Sequence, residues 1–322
     1  MLSRTADHLY WMARYMERAE NIARMLDVQH QARLLPQSPQ QARRGWEALL
    51  GICALGAEYR RHHAQVEGAA VLEFMVVDAN NPFNIASCLR AARENARAVR
   101  GALTTEVWET VNQSWLEFGR LSAGGQWRSD PTALFEWVKL RSHLSRGVTT
   151  GTMLQDEAYH FLRIGTFLER ADNTARLLDV SFREEPAGTA PQLHEAPRAP
   201  GRQDFYHWSA ILRSMSGFEV YRRVYRDVIE PEKVLELLML RRDMPRSLSA
   251  CVGELVRNLE RVASEQSGET LRRAGRLQAD LAFGRIDEIR ATGLHAYLSH
   301  FLERINDLGV RIGRDFLVPV TP

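Results

Sequence analysis

One stretch of this chain occurs twice with its polar side kept. Glu17, Arg18, Ala19, Asn21, Ala23, Arg24, Leu26, Asp27 and Val28 return, 152 residues on, as Glu169, Arg170, Ala171, Asn173, Ala175, Arg176, Leu178, Asp179 and Val180. Between them, Met16, Glu20, Ile22 and Met25 become Leu168, Asp172, Thr174 and Leu177, and only the third change is not mild. A shorter echo runs Phe301-Leu302-Glu303-Arg304-Ile305-Asn306-Asp307. A helix that only had to bury one apolar side could vary freely on the other. Here the charged and amide side chains recur, so the two copies are expected to share a task that uses them.

At about 100° per residue, Glu17, Glu20, Asn21, Arg24 and Asp27 fall on one side of a helix, with Met12, Met16, Ala19, Ile22, Ala23 and Leu26 opposite. The second copy places Glu169, Asp172, Asn173, Arg176 and Asp179 alike. Three readings of this stripe are open. It could be a solvated face laced with pairs such as Glu20–Arg24, each contributing about 0.2–0.5 kcal/mol. It could be a buried network of Glu17, Arg24, Glu169 and Arg176 fixing how two halves pack, in which a stranded charge costs several kcal/mol. Or it could be a site between facing helices, as bundles often build, with Glu17, Glu20, Asn21, Arg24, Glu169, Asp172, Asn173 and Arg176 as candidate ligand-binding residues. The two structural readings together outweigh the third.

The apolar periodicity along the rest of the chain is 3.6 rather than 2, so the fold class is all-α. Helices are expected over 3–34, 42–63, 69–78, 82–102, 106–121, 131–145, 152–182, 204–227, 231–242, 245–265, 268–283 and 286–316. Pro82 and Pro245 are each read as opening a helix, since proline at the first turn gives up only an amide without a partner. Gly147 and Gly151 are read as a break, with Thr152 and Gln155 as a capping box beyond it. A second correspondence, at 163 residues, sets Asn81-Pro82-Phe83-Asn84 against Met244-Pro245-Arg246-Ser247, and Cys88 against Cys251. The economical reading is an internally duplicated helical bundle. Its first half is 1–183 and its second 204–322, packed as one domain and joined by a proline-rich linker over 184–203, expected to be exposed and mobile.

Several chemistries find little support. A net charge of +2 over 322 residues gives no reason to expect nucleic-acid binding. No apolar run approaches the ~18 residues of a membrane span, and the start shows no secretory pattern. Three cysteines without a close pair fit a reducing compartment, and a cytoplasmic setting is expected. There is no P-loop, nucleophile elbow or zinc spacing, so the balance leans away from an enzyme. No cofactor and no metal site are expected. His8 and His160 are read as packing histidines rather than ligands, because they lie opposite Glu17 and Glu169. Mg²⁺ on Glu17/Glu20 or Glu169/Asp172 is the alternative. Arg93, in a polar run after Cys88, is a candidate anion contact. Arg141, with His143, is another, beside the expected glycine break.

The repeated helix, together with Asn81-Pro82, the Arg93-Glu94-Asn95-Ala96-Arg97 run and Gly151-Thr152-Met153, resembles the alpha-E domain family of bacteria across essentially the whole chain. The resemblance implies an all-helical protein. It further implies companions, either fused or encoded nearby: a circularly permuted ATP-grasp ligase and a transglutaminase-like protein. Peptide or amide-metabolite modification would be the setting, with this chain as an auxiliary or interaction protein. The resemblance brings no catalytic residues to carry over.

Overall fold

The computed structural model describes residues 1–33, 38–183 and 202–317. Among these, the chain forms helices α1 (Ser3–Ala32), α2 (Pro39–Ile52), α3 (Gly56–His62), α4 (Gly68–Val76), α5 (Ile85–Ala98), α6 (Thr105–Ala123), α7 (Thr132–Thr152) and α8 (Glu157–Arg183). After the undescribed stretch come α9 (Arg202–Ser214), α10 (Phe218–Tyr225), α11 (Pro231–Leu235), α12 (Leu248–Arg261), α13 (Gly268–Phe283), α14 (Ile286–Thr292) and α15 (Leu294–Ile312). No strand occurs among the described residues. The expected linker, 184–203, lies outside them except for its last two residues, which begin α9.

Helix α1 sits at the centre, against α8, α5, α7 and α9, while α8 packs in turn on α12 and α15. The two long helices run side by side in the same direction. The Met1 ammonium meets Glu157, the Tyr10 backbone meets Gly165, and Glu17 meets Arg170. Gly165 permits the close approach: a β-carbon there would stand 2.3 Å from the Tyr10 carbonyl oxygen. Leu9, Ala23 and Leu26 of α1 join Ile164, Ala171 and Leu178 of α8 in one continuous apolar core.

Most expected helices are present, with their ends moved for identifiable reasons. Neither Pro82 nor Pro245 opens a helix directly. The chain turns for two more residues, and the second of them, Asn84 or Ser247, accepts through its side chain from the backbone N–H of Ser87 or Ala250 as the N-cap. The expected glycine break is overturned: α7 runs through Gly147 and Gly151 to Thr152, and a β-carbon at either glycine would touch nothing. Nor does Thr152 cap α8. Asp156 does so, its carboxylate accepting from the amides of Ala158 and Tyr159. Three long expectations split where the backbone turns left-handed, at Ala54 (φ 56°), Ser216 (φ 52°) and Gly293 (φ 95°). Ser38 and Gln41 form a capping box at the start of α2.

Candidate functional site

A helix packed on most sides is normally apolar all round, yet α1 carries its polar stripe into the interior. Glu17, Glu20, Asn21 and Asp27 are all buried, Glu17 with 1% of its surface exposed. The solvated-face reading is therefore excluded for the first copy. Buried polar groups need partners, and these come from two other helices, α7 and α8, and one helix-leading turn.

The centre of the arrangement is a crossed exchange between the two copies. Arg170 of α8 donates through Nε and Nη2 to the two Glu17 oxygens, at 2.8 and 2.9 Å. Arg18 of α1 donates through Nε and Nη2 to the two Glu169 oxygens, at 2.6 and 3.0 Å. Each Glu-Arg dipeptide thus places its acid on the other copy's arginine, in the two-pronged geometry that a guanidinium offers a carboxylate. Arg14 adds a third N–H to Glu169, at 2.8 Å, while lying over the Trp11 ring.

Around the first copy the network is denser. Arg246, at the turn leading into α12, donates to Glu17 at 3.1 Å, to Asn21 Oδ1 at 2.9 Å and to Glu20. Arg146 of α7 donates to Glu17 at 3.0 Å and also reaches Glu20. Ser142 Oγ donates to Glu20 at 2.8 Å, and Arg24 donates from one turn along α1. The Arg24 guanidinium also bonds Ser216 Oγ at 2.6 Å and contacts His143 Nε2 at 2.9 Å.

The electrostatics follow. Burial alone would raise the Glu17 pKa, but Arg170 and Arg246 more than offset it and hold the carboxyl at about 2. Glu20 is likewise held well below its ordinary value, Arg246 being the largest opposing influence, and Glu169 is lowered by Arg14 and Arg18 against its own burial. All three stay ionised. Beside Glu17 and Arg146 lies a small cleft of about 30 Å³, bordered by Ser142, Ser145, Thr149 and Thr166. That is room for a water or two.

The expected network is thus corrected in its cations. Arg24 and Arg176 do not bridge the copies: each pairs one turn back on its own helix, with Glu20 and Asp172. The stripe residues Glu17, Glu20, Asn21 and Arg24 do come together, and Glu169 joins them through the crossed pair. Asp172 and Arg176 form a separate half-buried pair, and Asn173 is half-buried. Arg93 is engaged by Asn112 and Glu94. Arg141 faces α6, donating to Ser114 Oγ and the Thr110 carbonyl. His8 and His160 each contact an asparagine, Asn95 and Asn258, at 2.8 Å. The buried thiols of Cys88 and Cys251 are pushed up to about 12 by burial. Among the described residues no group of three or more His, Cys, Asp or Glu is placed to hold a metal ion.

Sequence reasoning missed Arg18, Arg170, Arg146 and Arg246. The first two flank the stripe rather than lie in it. Arg246 left a signal, because its matched position is Phe83, which lies against Arg18. An apolar residue answered by an arginine, in otherwise parallel stretches, marks extra negative charge nearby.

Residues 1–317 match the profile of a family described as a predicted alpha-helical domain with a conserved ER motif. The chain is also similar to uncharacterised proteins of Mycobacterium bovis and Mycobacterium tuberculosis, at 23% identity over 94% of its length. It spans 35% of the length of those relatives. No solved structure matches. Among the described residues, no helix is long and apolar enough to cross a membrane.

Proposed function

Because the chain belongs to the alpha-E family, we propose that it is an auxiliary helical partner of an ATP-dependent amide- or peptide-forming system. On this reading it acts beside a circularly permuted ATP-grasp ligase and a transglutaminase-like protein and performs no turnover alone. One observation carries the reading. Glu17, Glu20 and Glu169 are each already matched by two or more arginines and held ionised. A general acid or base works best with a pKa near the operating pH, whereas a saturated ion-pair cluster suits the fixing of one helix on another. The length of the mycobacterial relatives adds support, since there the same unit occupies about a third of a longer chain. The setting on this reading is the cytoplasm, where ATP is supplied and thiols such as Cys88 stay reduced.

The test is co-expression with the ATP-grasp ligase encoded nearest to it. Co-elution of the two, and ATP turnover by the ligase that rises when this protein is added, is the expected result. Turnover of ATP or peptide substrates by the isolated protein would overturn the reading. So would calorimetric heat with Mg²⁺ that vanishes in Glu17→Gln, because it would return the stripe to the role of a metal site.

A further inference from the structure

Apart from the Glu17 cluster, α13 and α15 line a cleft of about 370 Å³, within the range of small-molecule sites. Its walls carry Arg272, Arg273, Arg276 and Arg304 with His300, against one acid, Asp307. Its floor is apolar, from the buried Leu277 and Leu308. A chain of net charge +2 thus gathers four guanidinium groups in one concavity. Like charges held together need a reason, and their neighbours supply only part of one. Arg272 gives Nε and Nη2 to Glu269, leaving Nη1. Arg273 gives Nε to Glu269 and Nη1 to Asp307, leaving Nη2. Arg304 gives Nη1 to Asp280 and keeps Nε and Nη2. Arg276 is exposed and forms no ion pair among the described residues. The carboxylates therefore steady three of the arginines while N–H groups on all four remain unused, out of the five that each guanidinium offers.

We propose that this cleft binds a small molecule through a phosphate or pyrophosphate group. Several convergent guanidinium edges match a multiply charged tetrahedral anion, which accepts paired N–H donors from more than one direction. The concave shape and the apolar floor suit a compact ligand with an uncharged portion. A duplex nucleic acid would instead require basic charge spread along a face. The assignment is independent of the partner reading above.

Calorimetry of the full chain with inorganic pyrophosphate, at low and at near-physiological salt, tests it. Saturable one-to-one binding is expected, weakened tenfold or more in Arg276→Gln and again in Arg304→Gln. Arg128→Gln, on an exposed pair with Glu73, should leave it unchanged. Arg276 is exposed and forms no ion pair among the described residues, so its variant should keep the native circular dichroism and melting temperature. No saturable heat, or equal binding by Arg276→Gln, would overturn the proposal. So would binding to a DNA duplex that exceeds pyrophosphate binding and falls equally in Arg128→Gln and Arg276→Gln.

Discussion

Glu17 and Glu169 hold equivalent places in sequence but not in energy. Glu17 faces Arg170 and Arg246, whose side chains are 8% and 6% exposed. Its removal leaves Arg170 without its carboxylate partner away from water and Arg246 with Glu20 as its remaining acid, and Glu17→Ala should cost about 3–5 kcal/mol, the usual penalty for breaking a buried pair. Glu169 faces Arg14 and Arg18, which keep 17% and 21% exposure and rest on aromatic rings. Those arginines can turn to water, so Glu169→Ala should cost less, about 1–3 kcal/mol. Urea unfolding of the two variants checks the order, and equal costs would contradict it. The same carboxylates set an acid dependence. Their folded pKa values lie below the ordinary glutamate value, Glu17 at about 2, so the unfolded chain binds more protons across that interval. Stability from these groups is complete above about pH 5 and is lost as pH falls toward about 2. The urea midpoint should drop over that window, and less steeply in Glu17→Gln.

At the scale of elements, the contact of α1 with α8 rests on Gly165, and the contrast with Gly147 makes this measurable. A methyl at Gly165 meets the Tyr10 carbonyl, a backbone atom of the central helix that cannot move without disturbing the crossed pairs. Gly165→Ala should destabilise by about 1–3 kcal/mol. Gly147→Ala, in the interior of α7 with open space around it, should stabilise by about 0.5–1 kcal/mol. Thermal melts with opposite signs are expected. The all-α architecture and most helix positions were legible because apolar periodicity reports which side of a segment is buried. The glycines of α7 were not: in sequence they resemble a break, and only their surroundings show that the helix continues. Left-handed Ala54 and Ser216 were equally hidden, since neither residue type announces a positive φ. The stripe was legible as a shared feature, but its partners were not. Facing helices decide which arginine reaches which acid, and the wheel of one helix cannot contain that information.

At the scale of the whole molecule, α1 is the common neighbour of elements from both ends of the chain, and its interior charges are neutralised by α7, α8 and the turn before α12. The described regions are thereby tied together through one helix. A partner protein on this account would meet a preassembled surface rather than order it. The repeated Glu-Arg dipeptide acts across the two long helices and not within one. A double-mutant cycle measures this directly, using Glu17→Gln and Arg170→Met beside a reference cycle of Glu17→Gln and Arg18→Met. Coupling of about 2 kcal/mol or more is predicted for Glu17 with Arg170, and less than about 0.5 kcal/mol for Glu17 with Arg18. Coupling below about 0.5 kcal/mol between Glu17 and Arg170 would contradict the account.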